Sequence, residues 1–221
     1  MVPLRHGADP TTELTRIGLR VTAWAGARRG PTGELWLDCE VGPGPPQQVP
    51  PASSPPPPVP HAEGLVIGPG ESAVPVQRVS AVAVVRAGER GLLLTRYSRR
   101  TRRPGWWGLP GGGCETGEEP VAAAVRECWE ETGHRVEIGR LLGVTSDHFV
   151  GRAPHGRLED FHAIQLVYAG RVAEAVQPVV HDLDGSTDDA AWVSPAELAS
   201  LTLTPMARRQ LRLAGIEPFG S

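Results

Sequence analysis

Three glutamates, Glu127, Glu130 and Glu131, share one face of a helix expected from about Pro120 to Thr132, inside the stretch GGCETGEEPVAAAVRECWEETGH that runs from Gly112 to His134. At about 100° per residue their carboxylates occupy roughly a 100° arc. Val121, Ala122, Val125, Cys128, Trp129 and Thr132 lie nearly opposite, a stripe expected to face a core. Helix energetics oppose the acids. Glu127 and Glu131 repel each other at i, i+4, and Glu130 and Glu131 sit in the last turn before Gly133, a helix-ending glycine, where the macrodipole disfavours anions. A hard divalent cation offsets both costs, because Mg²⁺ takes oxygen ligands and shares its coordination with substrate phosphates. Gly111, Gly112 and Gly113 follow Pro110 directly before this helix, and such residues let a backbone approach a ligand closely. The fold must therefore present one acidic helix face to a glycine loop.

The spacing is Gly112, five residues, Glu118, seven residues, Arg126-Glu127, two residues, Glu130-Glu131, one residue and Gly133. It resembles the Nudix box, the signature of Nudix hydrolases, at every charged and glycine position. Cys128 and His134 depart from it, standing where that family prefers Ile, Leu or Val; Cys128 is small and buriable, and His134 follows the helix, so altered packing is expected there. The resemblance implies an α/β fold, an α/β/α sandwich with a mixed β-sheet. It implies metal ligation by Glu127, Glu130 and Glu131 near the Gly111 carbonyl, catalysis by Glu127, Glu130 and Arg126, and bracing of loop and helix by Gly112, Glu118 and Gly133. Mg²⁺ is the implied cofactor, with Mn²⁺ as a substitute.

At 221 residues, 40% of them hydrophobic, the chain can bury one good core and append a small element. A net charge of −3 argues against a nucleic-acid or membrane-surface partner, and no run of eighteen apolar residues or signal-peptide core is present, so a cytoplasmic location is expected. Exposed strand edges leave room for a homodimer. Cys39, Cys114 and Cys128 are too scattered for a disulfide framework or a zinc site. All 22 basic residues are arginine, which excludes lysine chemistry.

Composition divides the chain into a short segment, 1–41, a proline- and glycine-rich stretch, 42–75, expected to be a disordered linker, and a compact domain, 76–221. Within the domain Val79 to Val85 and Leu92 to Tyr97 read as a hairpin. Val136 to Val144, Phe161 to Tyr168 and Ala190 to Val193 read as further strands, Ser194-Pro195 with Glu197 as a helix start, and Pro205 to Leu213 as a helix. In the first segment Glu34 to Val41 is strand-like and is expected to pair with a sheet edge.

Substrate contacts are sought among the arginines and tryptophans before the glycines, Arg96, Arg103 and Trp107 first, because guanidinium forks match phosphate oxygens and an indole stacks on a base. Glu159 and Asp160 are candidates for the extra acid that this family recruits beyond the box. His148, His155 and His162 lack the spacing of a helical metal pair and read as loop or strand-face histidines, with His162 able to face substrate. Leu4-Arg5-His6-Gly7, with Leu14-Thr15 and Gly18, resembles the opening motif of histidine phosphatases over about sixteen residues. The linker begins before the domain such a phosphatase needs, which favours a remnant, a coincidence or a docking arm; a bifunctional enzyme with a working phosphatase arm would require His6 to sit in a phosphate pocket.

The expected activity is Mg²⁺-dependent hydrolysis of the diphosphate linkage in a small nucleotide: a nucleoside triphosphate, a nucleotide sugar or an ADP-ribose type. The alternative is a nucleotide-sensing or protein-interaction module of the same fold without turnover, but such proteins lose box acids and this chain retains them all.

Overall fold

A computed structural model of the chain describes residues 1–45, 58–153 and 155–217. The elements run α1 (Pro10–Arg16), β1 (Leu19–Arg29), β2 (Leu35–Pro43), β3 (Val74–Ala87), β4 (Gly91–Tyr97), β5 (Trp107–Gly108), β6 (Gly111–Gly113), α2 (Pro120–Thr132), β7 (Glu137–Arg152), β8 (Leu158–Arg171), β9 (Thr187–Val193), α3 (Pro195–Leu198) and α4 (Pro205–Leu213).

The central sheet is mixed and follows the order β5-β4-β3-β8-β7, with β6 added to β3 and β9 to β4. Strands β3 and β8 run parallel from Val74↔Glu159 to Val85↔Gly170, whereas β7 pairs with β8 antiparallel. The hairpin expected from β3 to β4 is present but short, confined to Arg86↔Leu92 and Ala87↔Gly91.

Alternation along β3 sorts its side chains between two helical layers. Val82 and Val84 join Leu92, Leu94 and Val167 beneath Leu198 of α3 and Leu211 of α4. Ala81 and Ala83 face the other way, Ala81 clustering with Ala123 and Ala124 of α2 and Ala83 with Cys128. Small residues on both sides let α2 lie close to the sheet. This is the α/β/α arrangement with a mixed sheet that the family resemblance implied.

The buried side of α2 differs from the expected stripe. Ala123, Ala124, Cys128, Glu131 and Thr132 are buried, while Val121 and Trp129 are exposed. Trp129 instead stacks on His181 at 4.5 Å, an aromatic contact outside the core. The helix is rotated so that one of its acids points inward.

Strand β2 also departs from expectation, since it pairs with β1 in a two-stranded sheet of its own and joins no edge of the central one. Trp24, Ala27, Leu35 and Leu37 pack on the cluster around Ala123, Leu166 and Tyr168, so the burial of apolar surface holds this hairpin to the domain. Its Arg29 N–H donates to Glu119 Oε2 at 3.1 Å and its Nε to the Glu118 carbonyl at 3.2 Å, tying the hairpin to the start of α2.

Residues 46–57, the centre of the proline-rich stretch, lie outside the described residues. The part from 58 onward follows β7: Val150 N–H donates to the Pro60 carbonyl, Ala62 N–H to the Val150 carbonyl, and Arg152 forks onto Glu71 at 2.6 and 2.7 Å.

Candidate active site

Helix α2 begins with Pro120, whose missing N–H costs nothing at the first helical position, and ends at Gly133 with φ 71°, the left-handed conformation that glycine adopts without strain. The short strand β6 pairs with β3 through Gly111↔Val82, Gly112↔Ala81 and Gly113↔Ser80, which sets the glycines against the acidic face. A Cβ at Gly112 would lie 2.4 Å from the Glu127 carboxyl carbon, so any larger residue there displaces that carboxylate from its present position.

Arg126 organises the cluster. Its Nε and Nη2 fork onto Glu118 at 2.9 and 3.0 Å, Nη2 also donates to the Gly113 carbonyl at 3.0 Å, and Nη1 donates to Glu127 at 2.9 Å and Glu130 at 3.1 Å. These bonds hold the Glu118 carboxyl below the usual carboxylate range and raise the Arg126 guanidinium above its own. Glu127 is different: burial pushes it up, and the Arg126 hydrogen bond only partly opposes that.

Glu131 is the most buried acid of the helix, 6% exposed. Its Oε2 accepts from the Gly111 N–H at 2.9 Å and its Oε1 from the Thr187 hydroxyl at 2.5 Å. Burial nevertheless dominates and pushes its carboxyl up to about 7. A buried and a half-buried carboxyl raised together, beside one arginine shared by three acids, form an oxygen-rich site short of positive charge. Such a donor set suits a hard divalent cation, and each Glu131 oxygen retains a further lone pair.

A cavity of about 640 Å³ opens beside the cluster, lined by Arg78, Gly113, Cys114, Thr116, Arg126 and Glu127 among others. Arg78 was not among the residues singled out from sequence. It lies on β3 two residues before Ser80, the partner of Gly113, and among the described residues it has no ion-pair partner. A cation directly before the mostly apolar run Val79 to Val85 was the signal for it. Thr187 carried no such signal, because it reaches Glu131 from 56 residues away.

The structure brings Gly111, Gly112, Glu118, Arg126, Glu127, Glu130, Glu131 and Gly133 together, and places the other candidates elsewhere. Arg96 pairs with Asp188 at 2.8 Å and Asp189 at 3.4 Å and lies 6.0 Å from the Trp107 ring. Trp107 packs against the core cluster beneath α3 and α4, and Arg103 covers Trp106 at 4.6 Å. Glu159 is buried and paired with Arg157 at 2.6 Å. Asp160 pairs in register with Pro75, five residues along β3 from Ser80 and hence about 16 Å from the glycine loop. His134 is buried, its Nδ1 3.0 Å from the Thr132 carbonyl and its ring edge-on to Trp192 at 5.3 Å. That contact is the altered packing expected at this position.

A family model described as the NUDIX domain matches residues 76–214. Over 44 residues the chain is 57% identical to diphosphoinositol polyphosphate phosphohydrolase 3-alpha of Mus musculus, covering 20% of this chain and 27% of that protein, about a quarter of its length. Among solved structures, a NUDIX hydrolase from Nitrosomonas europaea is similar with a TM-score of 0.50 at 24% identity, over 63% of this chain and 89% of that one, and this likeness shows the fold. A MutT NUDIX hydrolase from Burkholderia pseudomallei is 28% identical with a TM-score of 0.48, over 62% of this chain and 98% of that one. Among the described residues no helix is long and apolar enough to cross a membrane.

Proposed function

Because this chain belongs to the Nudix hydrolases, we propose that it cleaves the diphosphate linkage of a nucleoside diphosphate derivative by metal-assisted attack of water. The observation that carries this reading is the carboxylate cluster of α2, half-buried and with Glu131 fully so, short of positive charge beside a cavity that also holds Arg78.

Glu127, Glu130 and Glu131 would hold Mg²⁺, or Mn²⁺ in its place, with the Gly111 carbonyl alongside. When bound, the ion supplies charge neutralisation for phosphoryl oxygens and acidifies water. The protein's own groups do the rest. Glu127 lines the cavity, where its carboxylate can accept a hydrogen bond from the attacking water and orient it. Arg126 fixes Glu127 and Glu130 relative to the Gly113 carbonyl, with Glu118 locking the guanidinium in place. Arg78 supplies a cation for the substrate's phosphate oxygens. A nucleotide-sensing module without turnover would have no use for this intact set of acids.

The test is a panel of nucleoside triphosphates, oxidised nucleotides, nucleotide sugars, ADP-ribose and diphosphoinositol polyphosphate, the last suggested by the relative's name. Each is incubated with Mg²⁺ and the products are identified by mass spectrometry. A nucleoside monophosphate is the expected product from the nucleotides, whereas the inositol compound would release orthophosphate, and Glu130→Gln should depress product formation strongly. No hydrolysis across the panel, or turnover unchanged in that variant, refutes the proposal.

A further inference from the structure

We propose that His6, His148 and Asp160 form a second metal site, remote from the acidic helix, that takes Zn²⁺ or a similar borderline divalent cation and clasps the N-terminal arm to the sheet. The three residues each bring one ligand atom within 4.8 Å of the others. Cross-strand register explains the two sheet residues: His148 pairs with His162 and Val150 with Asp160, so His148 and Asp160 are diagonal neighbours on one face. The arm adds His6 from more than 140 residues away in sequence.

The spacing suits the ion. Donors about 2.1 Å from a tetrahedral zinc stand roughly 3.4 Å apart. His6 Nε2 is already 3.5 Å from Asp160 Oδ1; it also donates to the Asp160 main-chain carbonyl at 3.0 Å, a hydrogen bond the cation must displace along with its proton. His148 Nε2 is 2.5 Å from the same oxygen, a hydrogen bond whose proton the cation replaces as the pair opens by about 1 Å. Two imidazoles and one carboxylate favour zinc over magnesium or calcium, and leave one coordination position for water.

The surroundings are built to hold these rings. His162, with no exposed surface, has Nδ1 3.0 Å from Gln77 and Nε2 3.1 Å from Ser146, so both its nitrogens are spent and it serves as a wall. It meets His6 and His148 edge-on at 5.4 and 5.9 Å. Gly7 has φ 75°, and a Cβ there would lie 2.4 Å from the His148 ring, so the arm closes onto the histidine only because residue 7 lacks a side chain. This accounts for the His6-Gly7 pair without phosphatase chemistry. Arg5 is spent on Glu13 at 3.0 Å, and a carboxylate beside His6 attracts a cation and repels a phosphoryl group.

The test uses the tag-free full chain carrying Glu127→Gln and Glu130→Gln, so that box carboxylates do not mask the result. After chelator treatment, Zn²⁺ alone is titrated calorimetrically and bound metal is counted by mass spectrometry. About one equivalent is expected, with His6→Ala or Asp160→Asn in the same background weakening uptake at least about tenfold. Co²⁺ should give a visible d–d band, abolished by His148→Ala. Absence of uptake, or uptake and spectrum indifferent to all three substitutions, overturns the proposal while leaving the hydrolase reading intact.

Discussion

Replacing Glu131 by Gln should stabilise the metal-free protein at alkaline pH and remove its response to Mg²⁺. Burial raises the carboxyl from 4.5 to about 7, so the folded chain binds this proton more tightly than the unfolded one. The sign follows: the group's contribution to stability is full below 4.5, falls as pH rises, and is lost above about 7. Across that window the loss is about 1.4 kcal/mol per pH unit, or about 3 kcal/mol in all. Gln keeps both contacts, its oxygen accepting from the Gly111 N–H and its amide donating to the Thr187 hydroxyl, but neutral bonds are weaker by about 1 kcal/mol. Those charged bonds are already contained in the shift, so the variant should exceed the parent by about 3 kcal/mol near pH 8 and match it near pH 4.5, where the parent carboxyl is itself neutral. Urea unfolding in chelator, followed by tryptophan fluorescence across that range, measures the difference, and carboxyls common to both proteins largely cancel. Excess Mg²⁺ should reverse the order at pH 8, since an ion at about 1,000 times its Kd adds about 4.1 kcal/mol to the parent. A stability difference constant from pH 4.5 to 8 would refute the reasoning.

Arg126→Ala should cost about 3 kcal/mol in urea unfolding, because Glu118 and Glu127 lose their shared partner; Arg126→Lys should recover only part, for want of the fork. Gly112→Ala puts a methyl 2.4 Å from the Glu127 carboxyl and should lower kcat about 100-fold with an unchanged circular dichroism spectrum, whereas a pure KM effect would contradict the site. Arg78→Ala should raise KM about tenfold, the worth of one charge-assisted phosphate contact, with kcat altered at most about twofold; steady-state kinetics on the best substrate decide it.

What the sequence by itself determined is what depends on near neighbours along the chain. A period of about 3.6 residues places Glu127, Glu130 and Glu131 together whatever the surroundings. Pro120, Gly133, the Ser194–Glu197 capping box and the alternation of β3 are equally local, so the strands and helices were legible at their cores. Their ends were not: β7 runs to Arg152, eight residues past the expected Val144, because pairing with β8 and contact with residues 60–62 extend it. Tertiary structure alone decided which side of α2 is buried, since that follows from the small Ala81 and Ala83 beneath it, and it turned Glu131 toward Gly111 and Thr187. It likewise set Arg78 on the wall of the cavity, and His6 beside His148 and Asp160. These contacts join residues tens to more than a hundred positions apart, and strand register creates them, which no spacing along the chain encodes.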